Sequence, residues 1–153
     1  MDFKNIEIHL IRSCDARKAE IRESSITDSS IQSCFMDFTK VSGSRWGNAS
    51  FNQMFMEKCL FDDVNLNGSS FLNLAMLDCG FENCIMNGSE FRSLAMTDCE
   101  LKNVNLSGSK LKGADLSGVE IDGSSVIDGM TIDGIPVEEL LKLYKDTKGN
   151  EDE

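Results

Sequence analysis

The chain has 153 residues, of which 26 are acidic and 15 are basic, and its formal net charge is −11 at pH 7. This acidic balance argues against direct binding to nucleic acid, because phosphates attract lysine and arginine. No apolar run approaches the length that crosses a membrane, and the length fits one domain.

The strongest signal is an apolar residue at every fifth position from Ile6 to Val126. Residues 69–108 also repeat every twenty positions, so that Phe71 recurs as Phe91. A period of five fits neither a helix nor a strand and predicts a chain that turns a corner every five residues. Four corners make a coil of twenty. The bulky residue and the mostly small residue two positions before it are expected to face inward.

Two segments show the repeat most clearly: residues 113–118 read Gly-Ala-Asp-Leu-Ser-Gly, and residues 103–108 read Asn-Val-Asn-Leu-Ser-Gly. With this motif and spacing, the sequence resembles the pentapeptide-repeat family over about residues 4–129. The resemblance implies an all-β fold, a right-handed quadrilateral β-helix of about six coils followed by a short C-terminal α-helix. We therefore expect a β-helix over residues 1–132, a C-terminal capping helix over 133–146 and a disordered acidic tail over 147–153.

The first coils match the repeat least well. Before Val41, Ala16 takes a bulky position, and residues such as Lys4 and His9 take the small one. No helix precedes the first coil, so we expect it to present an open, partly apolar end. Met1 leads into the repeat without a signal peptide, and the cytoplasm is therefore the expected location.

All six cysteines fall in the small inward position: Cys14, Cys34, Cys59, Cys79, Cys84 and Cys99. Such cysteines can form disulfides, hold a metal or act as small core hydrophobes in a reducing compartment. Zinc-type spacing is absent, and only one histidine could assist. We therefore expect core cysteines, without a metal or cofactor.

No catalytic constellation stands out. The only histidine, His9, lies in a poorly matched coil without a designated acid or nucleophile beside it. No phosphate-binding loop or dinucleotide fingerprint is present. The chain is therefore predicted not to be an enzyme and to have no catalytic residues.

Outward residues twenty positions apart form columns, and one face of the coil is acidic. We name its carboxylates the acidic ridge: Asp62, Asp63, Glu82, Glu100, Glu120 and Asp122. The preceding face adds further carboxylates: Glu57, Asp78, Asp98 and Asp115. A third face is basic instead, with Arg92, Lys110 and Lys112.

The resemblance gives the acidic ridge a specific interpretation. Members of the pentapeptide-repeat family protect DNA gyrase and topoisomerase IV, and they are thought to do so by imitating duplex DNA. Six coils make a rod about 30 Å long, over which duplex DNA carries about 18 charges, more than twice the net charge of the repeats. The leading hypothesis is a module that binds a protein partner, with a type II topoisomerase as candidate. The alternative is a structural scaffold that its charge keeps soluble.

An apolar patch lies beside the column of methionines on the face that precedes the acidic ridge. Phe35 and Phe55 point outward by phase, followed in the same column by Ala75 and Ala95. Exposed aromatic residues often mark partner contacts. Alternatively, the two rings fold over the corner and pack on each other.

The repeat loses its phase after Ile121, where Val126 and Ile127 compete for the inward position. Three Asp-Gly pairs punctuate this stretch, at 122–123, 128–129 and 133–134. They suit either ordinary turns or, if other ligands converged, a calcium site.

A helix is predicted from Pro136 to Asp146, and its apolar residues at helical spacing are Val137, Leu140, Leu141 and Tyr144. This face is expected to cap the last coil. The resemblance also implies a homodimer through the C-terminal end. Leu143, which lies off the capping face, is the predicted dimer contact.

Overall fold

The structure, a computed structural model, describes residues 2–4 and 10–148. Most of its elements are strands of two or three residues, and one helix follows them. In chain order the elements are β1 (Asp2–Lys4), β2 (Leu10–Arg12), β3 (Glu20–Arg22), β4 (Ser30–Gln32), β5 (Lys40–Ser42), β6 (Ser50–Asn52), β7 (Phe55–Glu57), β8 (Leu60–Asp62), β9 (Ser70–Leu72), β10 (Ala75–Leu77), β11 (Gly80–Glu82), β12 (Glu90–Arg92), β13 (Ala95–Thr97), β14 (Glu100–Lys102), β15 (Lys110–Lys112), β16 (Glu120–Ile121), β17 (Thr131–Ile132), β18 (Ile135–Pro136) and α1 (Val137–Lys148).

Most strands stack in parallel with the strand twenty residues later, which makes a β-solenoid of about six turns, as predicted. At the N-terminal end the offset is eighteen residues, because Phe3 lies in register with Ile21, and at the C-terminal end β18 pairs with β17 in antiparallel orientation. Face 1 is the sheet β1-β3-β5-β8-β11-β14-β16. Face 3 is the sheet β18-β17-β15-β12-β9-β6-β4-β2. Face 4 contains the three strands β7, β10 and β13 with isolated bridges at both ends, and face 2 is held by isolated bridges such as Arg45 to Asn65.

The core fills the bore of the solenoid with the residues of the fifth position, as the period predicted. Ile26, Val41, Leu66 and Met86 are all buried. On face 3, the Phe51 and Phe71 rings stack with their centroids 4.9 Å apart, and the Phe71 and Phe91 rings with theirs 4.7 Å apart. Stacked rings add to the stabilisation that burial of their area already gives.

Side chains at the small inward position make hydrogen bonds that the period did not predict. From Cys59 onwards, several hydroxyl and thiol groups at this position donate to the carbonyl oxygen of the residue 23 positions earlier, in the preceding coil, whereas Cys34 and Ser44 donate to the carbonyl two positions earlier. Ser89 Oγ donates to Leu66 O at 3.0 Å, and Cys84 Sγ to Phe61 O at 3.4 Å. All six cysteines are free thiols, and burial raises the pKa of Cys84 to about 11. Serine and cysteine therefore suit this position because they bind a buried carbonyl.

From Ser13 to Gly118, each corner is made by a residue with positive φ, two positions after the bulky residue. Glycine and asparagine take many of these positions, as expected from their tolerance of this conformation. Bulky residues occupy others: φ is 57° at Lys18 and 57° at Phe38. The fold thus imposes left-handed backbone even where the side chain disfavours it.

The last coil contains one extra residue, which explains the loss of phase. Asn105 pairs with Val126, whereas Ile85 pairs with Asn105. Ile127 packs against the core, and Val126 is exposed. Because the extra residue comes before the pairing at Val126, Thr131 also pairs one position late, opposite Lys110.

The C-terminal helix differs from its prediction. It begins at Val137, after Pro136 has paired in β18, and it ends at Lys148, so that Thr147 is helical rather than part of a tail. Val137 packs against the core, but Leu140, Leu141 and Tyr144 are exposed, and the predicted capping of the last coil is therefore wrong. The remaining tail, 149–153, and the first-coil residues 5–9 lie outside the described residues. Nowhere in the described part of the chain is a helix long and apolar enough to cross a membrane.

Candidate protein-interaction surface

The acidic ridge lies on face 1, where the register brings like charges together. Asp62 is in register with Glu82 in the neighbouring strand, and Glu100 is in register with Glu120. Strands in a sheet are about 4.8 Å apart, and like charges directly opposite each other are destabilising. Glu82, however, is also in register with Lys102 on its other side, so like charges meet along only part of the face.

Two members of the acidic ridge are engaged in the fold itself. Asn83 Nδ2 donates to Asp62 Oδ1 at 2.9 Å, and Asn103 Nδ2 donates to Asn83 Oδ1 at 2.8 Å. Asp122 Oδ1 accepts the backbone N–H of Asn103 at 3.0 Å. This N–H and the hydroxyl of Ser124 lower the pKa of Asp122 to about 2. The ladder of side chains stabilises the corner, while Asp63, Glu100 and Glu120 are exposed.

Two of the carboxylates of face 4 share a lysine. Lys58 Nζ lies 2.5 Å from Glu57 Oε1 and 3.5 Å from Asp78 Oδ2. Asp115 instead accepts hydrogen bonds from the hydroxyl and the N–H of Ser117, which lower its pKa and keep it charged. Lys58 therefore offsets part of the negative charge of Glu57 and Asp78, while Asp115 stays anionic.

Face 4 carries an aromatic patch in its N-terminal half, formed by Phe35, Phe38 and Phe55. Their exposed fractions are 52%, 49% and 36%. The guanidinium carbon of Arg17 lies 5.9 Å from the centre of the Phe35 ring, and Lys58 Nζ lies 5.7 Å from that of Phe38. Exposed cation–π pairs of this kind contribute about 0.5–1 kcal/mol each.

The predicted alternative for Phe35 and Phe55 does not occur. Their backbones are bridged, but the stacked ring pairs lie in the core, such as Phe61 with Phe81, and Phe35 packs under the guanidinium of Arg17 instead. The prediction that these two rings pack on each other is therefore wrong. Sequence reasoning missed Phe38, although its place two residues after Met36, where glycine or asparagine is usual, was a usable signal.

A second apolar surface lies at the C-terminal end. Ile121, Val126 and Ile135 are exposed there, and Leu143 on the helix has an exposed fraction of 62%. The helix is held at its first turn, where Glu138 Oε1 accepts the N–H of Gly129 at 2.7 Å. The predicted dimer contact at Leu143 is thus on the surface, together with apolar residues that the helix was expected to cover.

The described residues contain no group of three or more histidine, cysteine, aspartate or glutamate side chains that could hold a metal ion. The carboxylates of two of the Asp-Gly pairs serve turns instead. Asp122 accepts hydrogen bonds from Ser124 and Ser125, and Asp133 Oδ1 accepts the N–H of Gly113 at 2.9 Å. These bonds favour the turn interpretation over the calcium interpretation.

A family model described as pentapeptide repeats matches this chain in eight copies, over residues 76–118 and 99–127. No curated protein sequence matches the chain. The structure of a pentapeptide-repeat protein from the thylakoid lumen of Arabidopsis thaliana is similar, with 22% identity, a TM-score of 0.58 and coverage of 71% of both chains. This likeness shows the fold.

Two further solved structures match with lower TM-scores. A pentapeptide-repeat protein from the cyanobacterium Cyanothece 51142 is 13% identical, with a TM-score of 0.49 and coverage of 76% of this chain and 90% of that chain. QnrB1, a plasmid-mediated fluoroquinolone resistance protein, is 11% identical in its trypsin-treated form, with a TM-score of 0.44 and coverage of 91% and 97%.

Proposed function

We propose that this chain, which carries the pentapeptide repeat, is a non-catalytic module that binds a protein partner through faces 1 and 4. The observation that carries the proposal is the difference between the sides of the solenoid. Faces 1 and 4 show the acidic ridge and the aromatic patch. Most of face 2 is neutral, with outward Asn65, Asn67, Asn87 and Asn105. A surface that served only solubility would have no need to concentrate charge and exposed rings on adjoining faces.

The finer proposal concerns the partner. An acidic ridge on a straight rod is complementary to a basic surface that binds duplex DNA. A type II topoisomerase is the candidate, because it has such a surface. Exposed carboxylates at Asp63, Glu100 and Glu120 would meet its lysine and arginine side chains, and the aromatic patch would add a desolvated anchor.

The test is DNA supercoiling by purified gyrase, with and without a quinolone, while the protein is titrated. We expect inhibition of supercoiling, or protection from the quinolone, at micromolar protein. The double variant Asp63→Lys, Glu100→Lys removes two exposed ridge carboxylates, and its effect should weaken at least tenfold.

The matched control is Asp28→Lys, Asp128→Lys, which makes the same change in net charge on face 2, where both carboxylates are also exposed. It should act like the wild-type protein. If both double variants lost the effect equally, net charge alone would explain it. If the wild-type protein had no effect on supercoiling, gyrase would be excluded as the partner.

A homodimer through the C-terminal end is part of the proposal. The exposed side chains of Leu140, Leu141, Leu143 and Ile135 support it, because a solvent-exposed apolar cluster at the end of a repeat array is costly in water. Two chains that paired here would double the length of the rod without changing the charge per unit length of the acidic ridge. The proposed location is the cytoplasm, a compartment that suits six free thiols.

A further inference from the structure

The charges of face 3 have no part in the proposed partner contact, and they are mainly basic in a chain whose net charge is −11. Arg92, Lys110 and Lys112 are exposed in the C-terminal half of this face. Arg92 pairs with Glu90 on the same strand at 2.8 Å and is in register with Lys112 on β15. Within the described part of the chain, Lys110 and Lys112 form no ion pair. Two exposed lysines are therefore left for a contact outside the chain.

Faces 1 and 3 are opposite sides of the solenoid. Because the chain turns four corners in each coil, the strands of the two faces run in opposite directions. On both faces the strands repeat every ~4.8 Å along the axis, and the two outward residues of a strand are ~6.6 Å apart. When a second chain lies beside the first in the same orientation, face 3 of one chain meets face 1 of the other, with their outward residues at matching spacings.

This contact brings opposite charges together. In its C-terminal half the facing pairs are Glu100 with Arg92, Lys102 with Glu90, Glu120 with Lys112, and Asp122 with Lys110. In its N-terminal half Glu20 faces Arg12, and no strand position of face 1 between residues 20 and 122 faces a like charge. The ion pair of Arg92 and Glu90 thereby extends into a network of four alternating charges. Such networks contribute more than isolated surface pairs do.

The match depends on the axial stagger between the two chains. Face 3 is displaced from face 1 by half a coil, ~2.4 Å, so two opposite staggers are similar in shape. The second stagger sets Glu82 against Glu90 and Lys102 against Lys110, and like charges that face each other repel. Charge therefore selects the first stagger.

We propose that faces 1 and 3 are complementary surfaces through which copies of this chain stack side by side. The contact is heterologous and does not close on itself, so the copies form an open row. Leu72 of face 3 falls opposite Gly80, beside the half-buried Leu60, and these residues give the contact a small apolar centre. The row does not rest on the proposed partner, but it covers the acidic ridge, so a chain cannot use face 1 for both contacts.

The contact is small, because six strands of three residues cover only about 300 Å² on each copy, compared with ~800 Å² in a stable interface. The row is therefore weak and forms at high protein concentration. Sedimentation velocity at millimolar protein tests it, in about 0.1 M salt, where repulsion between net charges is screened beyond about 10 Å. Every protein in the test carries Leu143→Asp, so that the proposed end-to-end dimer does not contribute. We expect particles that grow beyond two copies as the concentration rises.

Charge reversal tests the pairing itself. Lys112→Glu and Glu120→Lys should each lower the association constant at least tenfold, and the double variant, which restores the pair in reverse, should recover it. Neither reversal threatens the fold, because Lys112 is in register with Arg92 and Glu120 with Glu100, and each reversal replaces a repulsion with an attraction. Net charge alone predicts the opposite for Glu120→Lys, since a less negative chain repels its copies less.

The matched control is Asp128→Lys, which makes the same charge change on face 2 and should associate as its parent does. A carbodiimide, which joins a lysine to a carboxylate without a spacer, should link Lys112 to Glu120. That link must join two chains, because the two side chains lie on opposite faces of one chain. A protein that stays monomeric, growth that stops at two copies, a double variant that does not recover, or the absence of this link would overturn the proposal.

Discussion

The middle of the solenoid and its two ends share the same repeat but differ in how completely its inward side chains are packed. In the middle, every inward side chain has a neighbour above and below, and rings stack less than 5 Å apart. At the N-terminal end the inward Ile11, Ala16 and Ile21 are only partly buried, and at the C-terminal end apolar side chains of the helix lie on the surface. Periodicity thus determines the interior of a repeat protein, while the ends depend on residues that break the period.

The largest effect should come from the middle. Phe71→Ala removes a ring that is stacked on both sides, and it should lower the free energy of unfolding by about 3–5 kcal/mol. Ile21→Ala, at a partly buried position near the N-terminal end, should cost about 2 kcal/mol, the low end for such a truncation. Urea unfolding of both variants measures the difference. Equal losses would contradict the contrast between middle and end.

At the C-terminal end, Leu143→Asp should weaken the proposed homodimer. A carboxylate cannot be buried in an apolar contact without a partner, so the dissociation constant should rise at least tenfold. Analytical ultracentrifugation across a concentration range measures this. Lys142→Asp, on the same helix, is the control for added negative charge and should leave the dimer intact. If the wild-type protein stayed monomeric at high concentration, the proposed homodimer would be excluded.

A pH effect should distinguish the ends, because the C-terminal end is held by carboxylates. The pKa of Asp122 falls from 3.8 to about 2 in the folded chain, so its stabilisation is complete above pH 3.8 and is lost as the pH falls towards 2. The Tm of Asp122→Ala should therefore lie below that of the wild-type protein at pH 6, and the gap should close by pH 2. Asn48→Ala, in the N-terminal half at a corner without a titratable side chain, should show the same gap at both pH values.

The smallest effect on stability should come from Phe38→Gly. Glycine relieves the left-handed backbone at a φ of 57°, while the cation–π pair with Lys58 is lost, so the free energy of unfolding should rise by at most about 1 kcal/mol. Partner binding should nevertheless weaken if the aromatic patch is a contact. Asn48→Gly, at a corner with a φ of 54° and without a ring, isolates the backbone effect. Unchanged binding would exclude Phe38 from the interface.

The sequence predicted the solenoid because the phase of the repeat determines which side chains face inward. The same phase agrees with the exposure of Asp63, Glu100 and Glu120 in the acidic ridge and of Phe35 and Phe55, whereas Asp62, Glu82 and Asp122 are partly buried. It could not show that Asn83 and Asn103 tie Asp62 into a ladder, because such bonds depend on rotamers at the corner. The exposure of Leu140 and Leu141 was missed because helical spacing defines an apolar face but not what covers it.

The most direct measurement of the central claim is a competition between this chain and duplex DNA for purified gyrase. Fluorescently labelled protein is bound to the enzyme, and linear duplex is added at several salt concentrations. We expect binding that duplex DNA displaces and that weakens as salt rises, because the acidic ridge and the phosphates would occupy one basic surface. Absence of binding, or binding that duplex DNA leaves unchanged, would contradict it.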